Sequence, residues 1–403
     1  MHILVGITGG IAAYKSASIV RGFSELGHVV KALPTQNALR FIGATTLEAL
    51  SHNVVDSDLY SDVENVKHIA LAQEADLIVV APATAAFLAR YASGLADDLL
   101  LNVLLATNAK VVVAPAMHSE MWQHPTTIEN VAKLRNRGVL VVEPDSGRLT
   151  GNDSGVGRLP EPAEIVRSAL AFYSSGLDLA NKRFLVVAGG TREPIDAVRF
   201  VGNSSSGKQG LALAEAAKDR GAEVSLIAIN IDIEVSSFPH THKAKTTSDV
   251  QALLEELGPH FDCIFMPAAI SDYRVVNPAS GKLHRAEQPT LELHLVANPD
   301  LLSNLVSSRK STSKNQVLVG FAAEVLQPGD SLQALQELAK AKLDRKGVDV
   351  MVANDVSGGS VFSSETNEVV IVGKDLNPID FAGNKYEVAM AILDYIKPLL
   401  ANL

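Results

Sequence analysis

The stretch ILVGITGGIAAYKSA, residues 3–17, joins a short apolar run to an amphipathic run through the turn Thr-Gly-Gly. An apolar run bounded by such a turn is typical of a buried strand that leads directly into a helix. Backbone amides at the start of that helix can bind a phosphate group, although a tight turn without a ligand explains the motif equally well. Ala13 and Tyr14 stand where the dinucleotide fingerprint needs its third glycine, so the motif gives poor support for an NAD site.

The alternation of strand and helix continues from this stretch through the first half of the chain. We predict strands at residues 2–7, 29–33, 77–80, 111–113 and 139–142, and helices at residues 12–26, 66–74, 85–92, 97–107 and 126–137. Nearly continuous apolar strands between amphipathic helices indicate a parallel sheet with helices on both faces. The expected fold class is therefore α/β.

The stretch 173–183, YSSGLDLANKR, interrupts this alternation with serine, glycine and charged residues, which predicts a linker at 176–182. The alternation then restarts. We predict strands at 184–187, 223–229, 263–266, 317–320 and 348–352, and helices at 207–220, 248–257 and 385–399. The sequence therefore predicts two α/β domains, residues 1–175 and 183–403.

Composition narrows the class of protein. A chain of 403 residues that is 47% hydrophobic and 20% charged is typical of an ordinary folded protein. A net charge of -10 argues against general nucleic-acid binding, although a local basic pocket for phosphates is compatible with it. The single cysteine, Cys263, excludes a disulfide framework and fits a reducing cytosol. No signal peptide is indicated, and the longest apolar run, around residues 77–89, is too short to span a membrane, so we expect a cytoplasmic protein.

Three turns of the first half follow predicted strands and should converge on one crevice, because the carboxyl ends of parallel strands share an edge of the sheet. They are TGG after residue 7, APAT after residue 80, and APAMHSEMW after residue 113. The methionines and Trp122 of the third turn suit a flat ring, although such residues alone are more often core. His68 alone is more often structural. His118 and His124 match no standard zinc spacing, so we expect no structural metal in this half.

The stretch GRLTGNDSGVGRLPE, residues 147–161, has the composition of a loop and is too glycine-rich to predict as a strand or helix. A loop of this length in a compact domain is usually functional or disordered. Arg148 and Arg158 lie near its ends, which suits a loop that closes over something anionic.

The second half contains a dense run of polar residues, GGTREPIDAVRFVGNSSSGKQG, at residues 189–210. It resembles a P-loop, but residue 209 is glutamine where the motif needs serine or threonine. Its hydroxyls and amides still suit a phosphate, and the alternative is a helix cap with a surface loop. Further loops carry Asp272, Lys282, Lys342 and Lys346, and lysines beside an isolated aspartate are typical of a nucleoside triphosphate site with a divalent ion.

In combination these motifs resemble a known family: the bifunctional enzymes of coenzyme A synthesis that fuse phosphopantothenoylcysteine decarboxylase to phosphopantothenate–cysteine ligase. The resemblance covers essentially the whole chain. In the first half it rests on TGGIAAYK, VKHIALA, APATA, GLADDLL, PAMHSEMW and the stretch 147–161. In the second half it rests on AGGTREPIDAVRFVGNSSSGKQG, AAISDYR, ANPDLL, GFAAE, KLDRKG and ANDV.

The resemblance implies that the first domain is a Rossmann-like, flavodoxin-type flavoprotein that decarboxylates phosphopantothenoylcysteine to 4'-phosphopantetheine. It implies FMN bound between the subunits of a homo-oligomer, where the flavin oxidises the thiol end of the substrate and its carboxylate can leave. The matching residues are Gly9, Gly10, Ala81, Pro82 and Thr84 for FMN, His68 for catalysis, and Arg148, Asp153 and Arg158 for a clamp over the substrate.

The resemblance implies that the second domain is a Rossmann-like ligase that uses CTP. The carboxylate of 4'-phosphopantothenate attacks the α-phosphate, and the amine of cysteine then displaces CMP from the acyl-cytidylate. The matching residues are Asn203 with Arg199 for the acyl intermediate, Lys282 for catalysis, Asp272 for CTP and for Mg²⁺ (or Mn²⁺), and Ala268, Lys282, Pro299, Asp300, Leu301, Leu302, Phe321, Lys342 and Lys346 for CTP.

The chain departs from the commoner family pattern at two places. His118 stands where many members have asparagine, and Thr150-Gly151-Asn152 stands where many carry the clamp cysteine that acts as the acid. His118 is the candidate acid, with a water held by the clamp as the rival. An equally good interpretation is that His118 only hydrogen-bonds the substrate carboxylate, as the asparagine would. Two other hypotheses stay open here: a ligase whose first domain is only an FMN-binding scaffold, and a flavin- and nucleotide-binding regulatory protein without turnover.

Overall fold

The structure is a computed structural model of the chain, and it describes residues 1–55, 57–59, 66–148, 154–231, 238, 240–283, 290–312, 315–327, 331–357, 366–401 and 403. The chain divides into two compact units, Met1–Gly176 and Leu177–Leu403. In the described residues no helix is both long enough and apolar enough to cross a membrane.

The first unit contains a five-stranded parallel sheet. Its strands are β1 His2–Ile7, β2 Val29–Pro34, β3 Leu77–Ala83, β4 Lys110–Pro115 and β5 Leu140–Val141, in the order β2-β1-β3-β4-β5. This is the flavodoxin-like order, which places the carboxyl ends of β1 and β3 side by side. The interiors of both strands are buried, because helices cover both faces of the sheet.

The five helices predicted in the first unit are present, one of them with a wrong start. The helices that the structure describes in this unit are α1 Ser16–Glu25, α2 Ala44–Ser51, α3 Lys67–Glu74, α4 Ala85–Ser93, α5 Leu99–Ala106, α6 Ser119–Trp122, α7 Pro125–Asn136 and α8 Pro162–Ser175. Helices α2 and α6 were not predicted. The single helix predicted at 12–26 is wrong at its start, because Ile11–Lys15 forms a tighter 3₁₀ turn before α1. That turn follows directly on Gly9-Gly10.

The stretch predicted as a loop, 147–161, contains part of a hairpin instead. Strands β6 Asp145–Arg148 and β7 Ser154–Arg158 pair antiparallel. The prediction was wrong because it read glycine as a loop former, whereas strand pairing uses backbone groups that glycine also has. The tip of the stretch, 149–153, lies outside the described residues, and Asp153 and the Thr150-Gly151-Asn152 triplet lie within it.

Among its described residues the second unit contains an eight-stranded sheet and two separate pairs of short strands. In chain order the strands are β8 Arg183–Gly189, β9 Arg192–Pro194, β10 Phe200–Gly202, β11 Glu223–Ile229, β12 Thr241–Ala244, β13 Cys263–Met266, β14 Tyr273–Val275, β15 Leu295–Ala297, β16 Val317–Glu324, β17 Val350–Asp355, β18 Thr366–Gly373 and β19 Ile379–Asn384. The large sheet has the order β12-β11-β8-β13-β16-β17-β18-β19. It is parallel through β17, and β18 and β19 add antiparallel.

The sequence prediction missed the two edge strands of this sheet, β12 and β19, and also β18, whose apolar run at residues 369–372 was an available signal. Strand β12 is short, and β19 alternates between exposed and half-buried residues, so neither has the continuous apolar run of a central strand. The helices were predicted more completely, apart from α11 and α12. They are α9 Lys208–Asp219, α10 Thr247–Leu257, α11 Leu301–Thr312, α12 Leu332–Lys346 and α13 Lys385–Leu400.

The segment predicted as a linker, 176–182, packs into the second unit from Leu177 onward. Leu179 is 1% exposed, and the Asp178 carboxylate accepts hydrogen bonds from the guanidinium of Arg220, whose side chain is fully buried. Lys397 pairs with the same carboxylate. These polar partners offset the cost of burying the arginine charge.

Candidate active sites

In the first unit the turn after β1 and the turn after β3 are tied together by hydroxyl groups. Thr8 Oγ1 donates to the Pro82 carbonyl at 2.7 Å and accepts from the Thr84 amide at 3.0 Å. Ser16 Oγ donates to the Ala81 carbonyl at 2.7 Å. The TGG and APAT motifs therefore form one rigid edge, as expected for turns at the carboxyl ends of adjacent parallel strands.

The two glycines of the first turn have different surroundings. A Cβ on Gly9 would lie 2.5 Å from Cβ of Asn37, so this position admits only glycine, whereas a Cβ on Gly10 would meet Thr84 at an ordinary 3.5 Å. The turn therefore presents bare backbone at the edge of the sheet. A phosphate group fits such a turn, because amides can approach it without a side chain between them.

The third turn, residues 114–122, contacts strand β7 of the hairpin. The Met117 amide donates to the Gly157 carbonyl at 3.0 Å. A Cβ on Gly157, whose φ is +154°, would lie 2.1 Å from the Met117 carbonyl oxygen, and a Cβ on Gly155 would lie 2.3 Å from Ser119 Oγ. The alternating glycines of β7 thus let the hairpin pack directly on this turn.

The predicted clamp arginines lie on the two strands of the hairpin. Arg158, at the end of β7, pairs with Glu161, and Glu161 also accepts from Lys15 Nζ at 3.0 Å. Lys15 belongs to the 3₁₀ turn after Gly10. The pKa of Glu161 is lowered, chiefly because Lys15 donates to its carboxylate. Arg148 ends β6.

The two predicted catalytic histidines occupy different elements. His68 is the second residue of α3 and is half-buried, and α3 packs against α5. His118 is exposed and stands immediately before α6, next to the Met117–Gly157 contact. The hairpin therefore adjoins His118 through main-chain contacts.

The second unit contains a cavity of about 730 Å³ at the carboxyl ends of β13, β16 and β17. It collects residues from segments far apart in the sequence. The predicted site residues that line it are Asn203, Ala268, Asp272, Pro299, Asp300, Leu301, Leu302, Phe321, Lys342 and Lys346. Other lining residues that the sequence did not single out include Asn298, Asn354, Asn367 and Lys385.

Both predicted lysines of α12 pair with carboxylates beside this cavity. Lys342 Nζ lies 2.8 Å from Glu324 Oε1, and Lys346 pairs with Asp300. Asp300 also accepts from the amide and hydroxyl of Ser303 at the start of α11. Burial would raise the pKa of Asp300, but these hydrogen bonds outweigh it and the pKa is lowered. The ion pairs therefore hold both lysines at the cavity wall.

Asn298 organises the segment that carries the other predicted residues. Its side-chain Nδ2 donates to the Ser271 carbonyl at 2.8 Å, and its main-chain N–H donates to the Asp272 carbonyl at 2.8 Å. Asn203 Nδ2 donates to the Ile270 carbonyl at 3.2 Å. The available sequence signal for Asn298 was its position in the motif ANPDLL, directly before the predicted residues Pro299–Leu302. Among the described residues no cluster of three metal-ligating side chains occurs, so Asp272 would need ligands from a substrate or water to hold a cation.

Arg199 and Lys282 do not line the cavity among the residues described. The Arg199 guanidinium donates to the Asp196 carboxylate and to the Leu283 carbonyl, and the Leu283 amide donates to Asp196. These bonds, with amides from Val198 and Arg199, hold the pKa of Asp196 well below its usual range. Lys282 is exposed and adjoins Leu283. The Asp196–Arg199 turn therefore anchors the segment that carries Lys282.

The chain matches two family models in succession. The model described as Flavoprotein matches residues 1–174, and the model described as DNA/pantothenate metabolism flavoprotein C-terminal domain matches residues 179–399. Together they span both units.

Curated relatives align with the chain over its full length. It is 44% identical over 412 residues to the Coenzyme A biosynthesis bifunctional protein CoaBC of Mycobacterium tuberculosis (strain ATCC 25618 / H37Rv), with 100% of this chain and 97% of that protein covered. It is 37% identical over 399 residues to the protein of the same name from Haemophilus influenzae, with 98% and 96% covered. A crystal structure of the C-terminal domain of CoaBC covers 56% of this chain and 99% of its own, at 30% identity and a TM-score of 0.45.

Proposed function

The chain belongs to the family of coenzyme A biosynthesis bifunctional proteins, and from this we infer that it has two enzymatic activities of coenzyme A synthesis. The second unit ligates cysteine to 4'-phosphopantothenate. The first unit decarboxylates the resulting phosphopantothenoylcysteine to 4'-phosphopantetheine. Neither the family models nor the relatives favour a ligase with an inactive first domain.

The ligase proposal is carried by one observation: the cavity of the second unit. Four lysines (Lys208, Lys342, Lys346 and Lys385) and two aspartates (Asp272 and Asp300) line its described wall, so the wall is net positive and suits a polyphosphate. We propose that the nucleotide is CTP, because Lys342, Lys346 and the segment Pro299–Leu302 match the CTP-binding residues of the family. Asp272 would contact CTP and share a Mg²⁺ ion with its phosphates, because Mg²⁺ commonly takes one carboxylate plus phosphates and water.

Ligation proceeds in two displacements. The carboxylate of 4'-phosphopantothenate attacks the α-phosphorus, pyrophosphate leaves, and the amine of cysteine then attacks the acyl carbon and releases CMP. Asn203 would hold the acyl intermediate, since its side chain is fixed by the Ile270 carbonyl at the cavity wall. Lys282 would supply a positive charge that stabilises the negative charge developing on the phosphoryl oxygens. Arg199 acts through Asp196 to place the Lys282 segment.

The decarboxylase proposal rests on the edge formed by the TGG and APAT turns. Gly9, Gly10, Ala81, Pro82 and Thr84 would hold FMN, whose phosphate fits the bare turn. When bound, the flavin would supply oxidation of the thiol end of the substrate and return the same two electrons after carbon dioxide has left. Arg148 and Arg158 of the hairpin would hold the anionic substrate, and His68 contributes to catalysis. His118 or a water protonates the substrate carbon after carbon dioxide leaves.

A homo-oligomer would complete the flavin site. Ile11 and Tyr14, just after Gly10, are 59% and 61% exposed. Large apolar side chains exposed together beside a binding turn are typical of a protein interface. The substrates are small molecules, and we expect the protein to work in the cytoplasm, with neither nucleic acid nor membrane as a partner.

Three measurements on the purified full-length protein test these proposals. Steady-state release of pyrophosphate should require CTP, 4'-phosphopantothenate and cysteine together. Carbon dioxide should be released from phosphopantothenoylcysteine, and mass spectrometry of the bound cofactor should identify FMN. Continued release of pyrophosphate over many turnovers in the absence of cysteine would contradict the ligase. Absence of flavin absorbance after reconstitution would contradict the FMN site. A protein that binds FMN and CTP but turns over neither substrate would support the alternative of a flavin- and nucleotide-binding regulatory protein.

A further inference from the structure

The TREP stretch, residues 191–194, alternates buried with exposed residues. Thr191 and Glu193 are buried, Glu193 at 3% exposure, whereas Arg192 and Pro194 are exposed. Successive residues of an extended chain point to opposite sides, and Arg192–Pro194 forms β9, so the two buried residues share the inner side. Neither belongs to the described lining of the cavity. Burying polar groups is costly unless they are hydrogen-bonded, so their partners show what they support.

The carboxyl group of Glu193 accepts two hydrogen bonds from one residue, Thr247. Glu193 Oε1 accepts from the Thr247 amide at 2.8 Å and from Thr247 Oγ1 at 2.7 Å. Thr247 is the first residue of α10 and is 1% exposed. Because an amide in the first turn of a helix has no partner within the helix, a helix cap alone explains the first bond. The second bond does more, since it fixes the direction of the Thr247 hydroxyl proton.

The Thr247 hydroxyl transmits this direction to Asn298. Since its proton points to Glu193, its oxygen can only accept from a second partner, and Asn298 Nδ2 donates to it at 3.2 Å. Asn298 Nδ2 also donates to the Ser271 carbonyl at 2.8 Å, and Asn298 Oδ1 accepts from Arg274 Nη1 at 3.1 Å. A side-chain amide whose nitrogen and oxygen have different partners has one orientation. Glu193 therefore sets the orientation of the Asn298 side chain through Thr247.

The Asn298 side chain and Thr191 together hold the segment that carries Asp272. The Ser271 carbonyl accepts from Asn298, and the Ser271 amide donates to Thr191 Oγ1 at 2.8 Å. The main-chain N–H of Asn298 donates to the Asp272 carbonyl at 2.8 Å. Ser271, Asp272 and Asn298 all line the cavity. The TREP stretch therefore supports this wall of the cavity twice, directly and through the relay.

We propose that Glu193 is a positioning residue of the nucleotide site and acts through the Thr247 hydroxyl and Asn298; this rests on the ligase function proposed above. The relay holds the main chain of Asp272 and the start of the segment Pro299–Leu302 in place before the nucleotide binds. Such preorganisation increases affinity, because the bound nucleotide does not have to order the wall. Without the relay, Asn298 Nδ2 loses a partner and the segment gains conformational freedom.

Thr247→Val and Thr247→Ser form the matched pair that tests the relay. Valine has the shape of threonine without the hydroxyl, so it breaks the bond to Asn298 and keeps the amide bond to Glu193, whereas serine keeps both. The first readout is calorimetric binding of CTP with Mg²⁺ to the full-length protein, without 4'-phosphopantothenate, so that no turnover occurs. We expect the dissociation constant of CTP to rise about tenfold in Thr247→Val, the cost of one hydrogen bond, and to keep the parent value in Thr247→Ser.

The second readout is hydrogen exchange, followed by mass spectrometry on the full-length protein without ligands. Peptides that contain residues 271–273 and 298–302 should exchange faster in Thr247→Val and at the parent rate in Thr247→Ser. The control for stability is Thr246→Val, which removes the side-chain cap of α10, where Thr246 Oγ1 accepts from the Asp249 amide. It should lower the urea midpoint and leave the CTP affinity and both peptides unchanged.

An unchanged CTP affinity or unchanged exchange in Thr247→Val would overturn the proposal, as would losses of the same size in Thr246→Val or Thr247→Ser. If Thr247→Val does not fold, Thr247→Ala replaces it, because that change removes the hydroxyl without placing a methyl group against Glu193, and the same outcomes decide. A parent protein that binds no CTP would refute the nucleotide proposed for the site, whereas faster exchange confined to the variant without the hydroxyl would still establish the relay.

Discussion

The Met117 amide donates to the Gly157 carbonyl at 3.0 Å, which joins the methionine-rich turn after β4 to the hairpin that carries the clamp arginines. The contact is main chain to main chain. It explains why β7 alternates glycine at residues 155 and 157, since any side chain there would meet the turn. The hairpin is therefore positioned by backbone packing beside the turn that carries His118.

Substituting Gly157→Ala should impair decarboxylation and spare ligation. The new Cβ would lie 2.1 Å from the Met117 carbonyl oxygen, and φ of +154° is unfavourable for alanine, so the hairpin must shift. We expect decarboxylation to fall at least about tenfold and stability to fall by about 1–3 kcal/mol. Steady-state assays of both activities and urea unfolding measure this.

The matched control is Gly138→Ala. Gly138 also has a positive φ, +84°, but a Cβ there would meet no atom within 4 Å. It should cost stability through backbone strain and leave decarboxylation nearly unchanged. Equal losses of decarboxylation in both variants would show that strain, and not hairpin docking, explains the effect.

Substituting His118→Asn should separate the two halves of the decarboxylase reaction. An imidazole can donate a proton near neutral pH, whereas an amide cannot. In single turnover, carbon dioxide release should stay within about twofold, while formation of 4'-phosphopantetheine slows by roughly a hundredfold, a typical contribution of a general acid. Unchanged rates of both steps would remove His118 from the mechanism and leave a clamp-bound water as the acid.

Substituting Lys282→Gln should abolish CTP-dependent ligation and leave decarboxylation intact. Removing one cation placed for the transition state typically lowers turnover by about 10²–10³, and the residues proposed for decarboxylation lie in the other unit. Pyrophosphate release and carbon dioxide release, measured on the same preparation, test this. The control is Lys310→Gln, at an exposed lysine on α11 away from the cavity lining. Loss of both activities together would indicate that Lys282 is structural.

The Asp196 carboxylate should make the stability of the second unit depend on acid pH. Hydrogen bonds from Arg199 and from backbone amides lower the pKa of Asp196 in the folded state. The contribution of Asp196 to the free energy of unfolding is therefore fully present above the aspartate pKa of the unfolded chain, about 3.9, and is lost as pH falls below that value. Asp196→Asn should therefore unfold in less urea than the parent at pH 7, and the difference should shrink below about pH 4. A difference in urea midpoint that stays constant from pH 7 to pH 3 would contradict this.

The sequence by itself determined the class of the fold and the positions of most central strands along the chain. Nearly continuous apolar runs such as residues 77–80 and 226–229, each followed by turn residues and a helix, predict strands buried on both faces, so the parallel sheets followed from composition and spacing. Motifs after the predicted strands, such as Gly9-Gly10 after β1 and the stretch with Asn203 after β8, were recognisable because a site on a parallel sheet lies where its strands end.

Tertiary structure alone decided which of these residues meet. No local pattern reports that Glu324 would pair with Lys342, that Gln209 would bond to the Lys385 carbonyl, or that Arg199 would turn to Asp196 and Leu283. The edge strands β12 and β19 and the hairpin of β6 and β7 were missed for the same reason. Their pairing depends on backbone groups of a distant partner, and a backbone hydrogen bond leaves no signature in the side chains of the residues that make it.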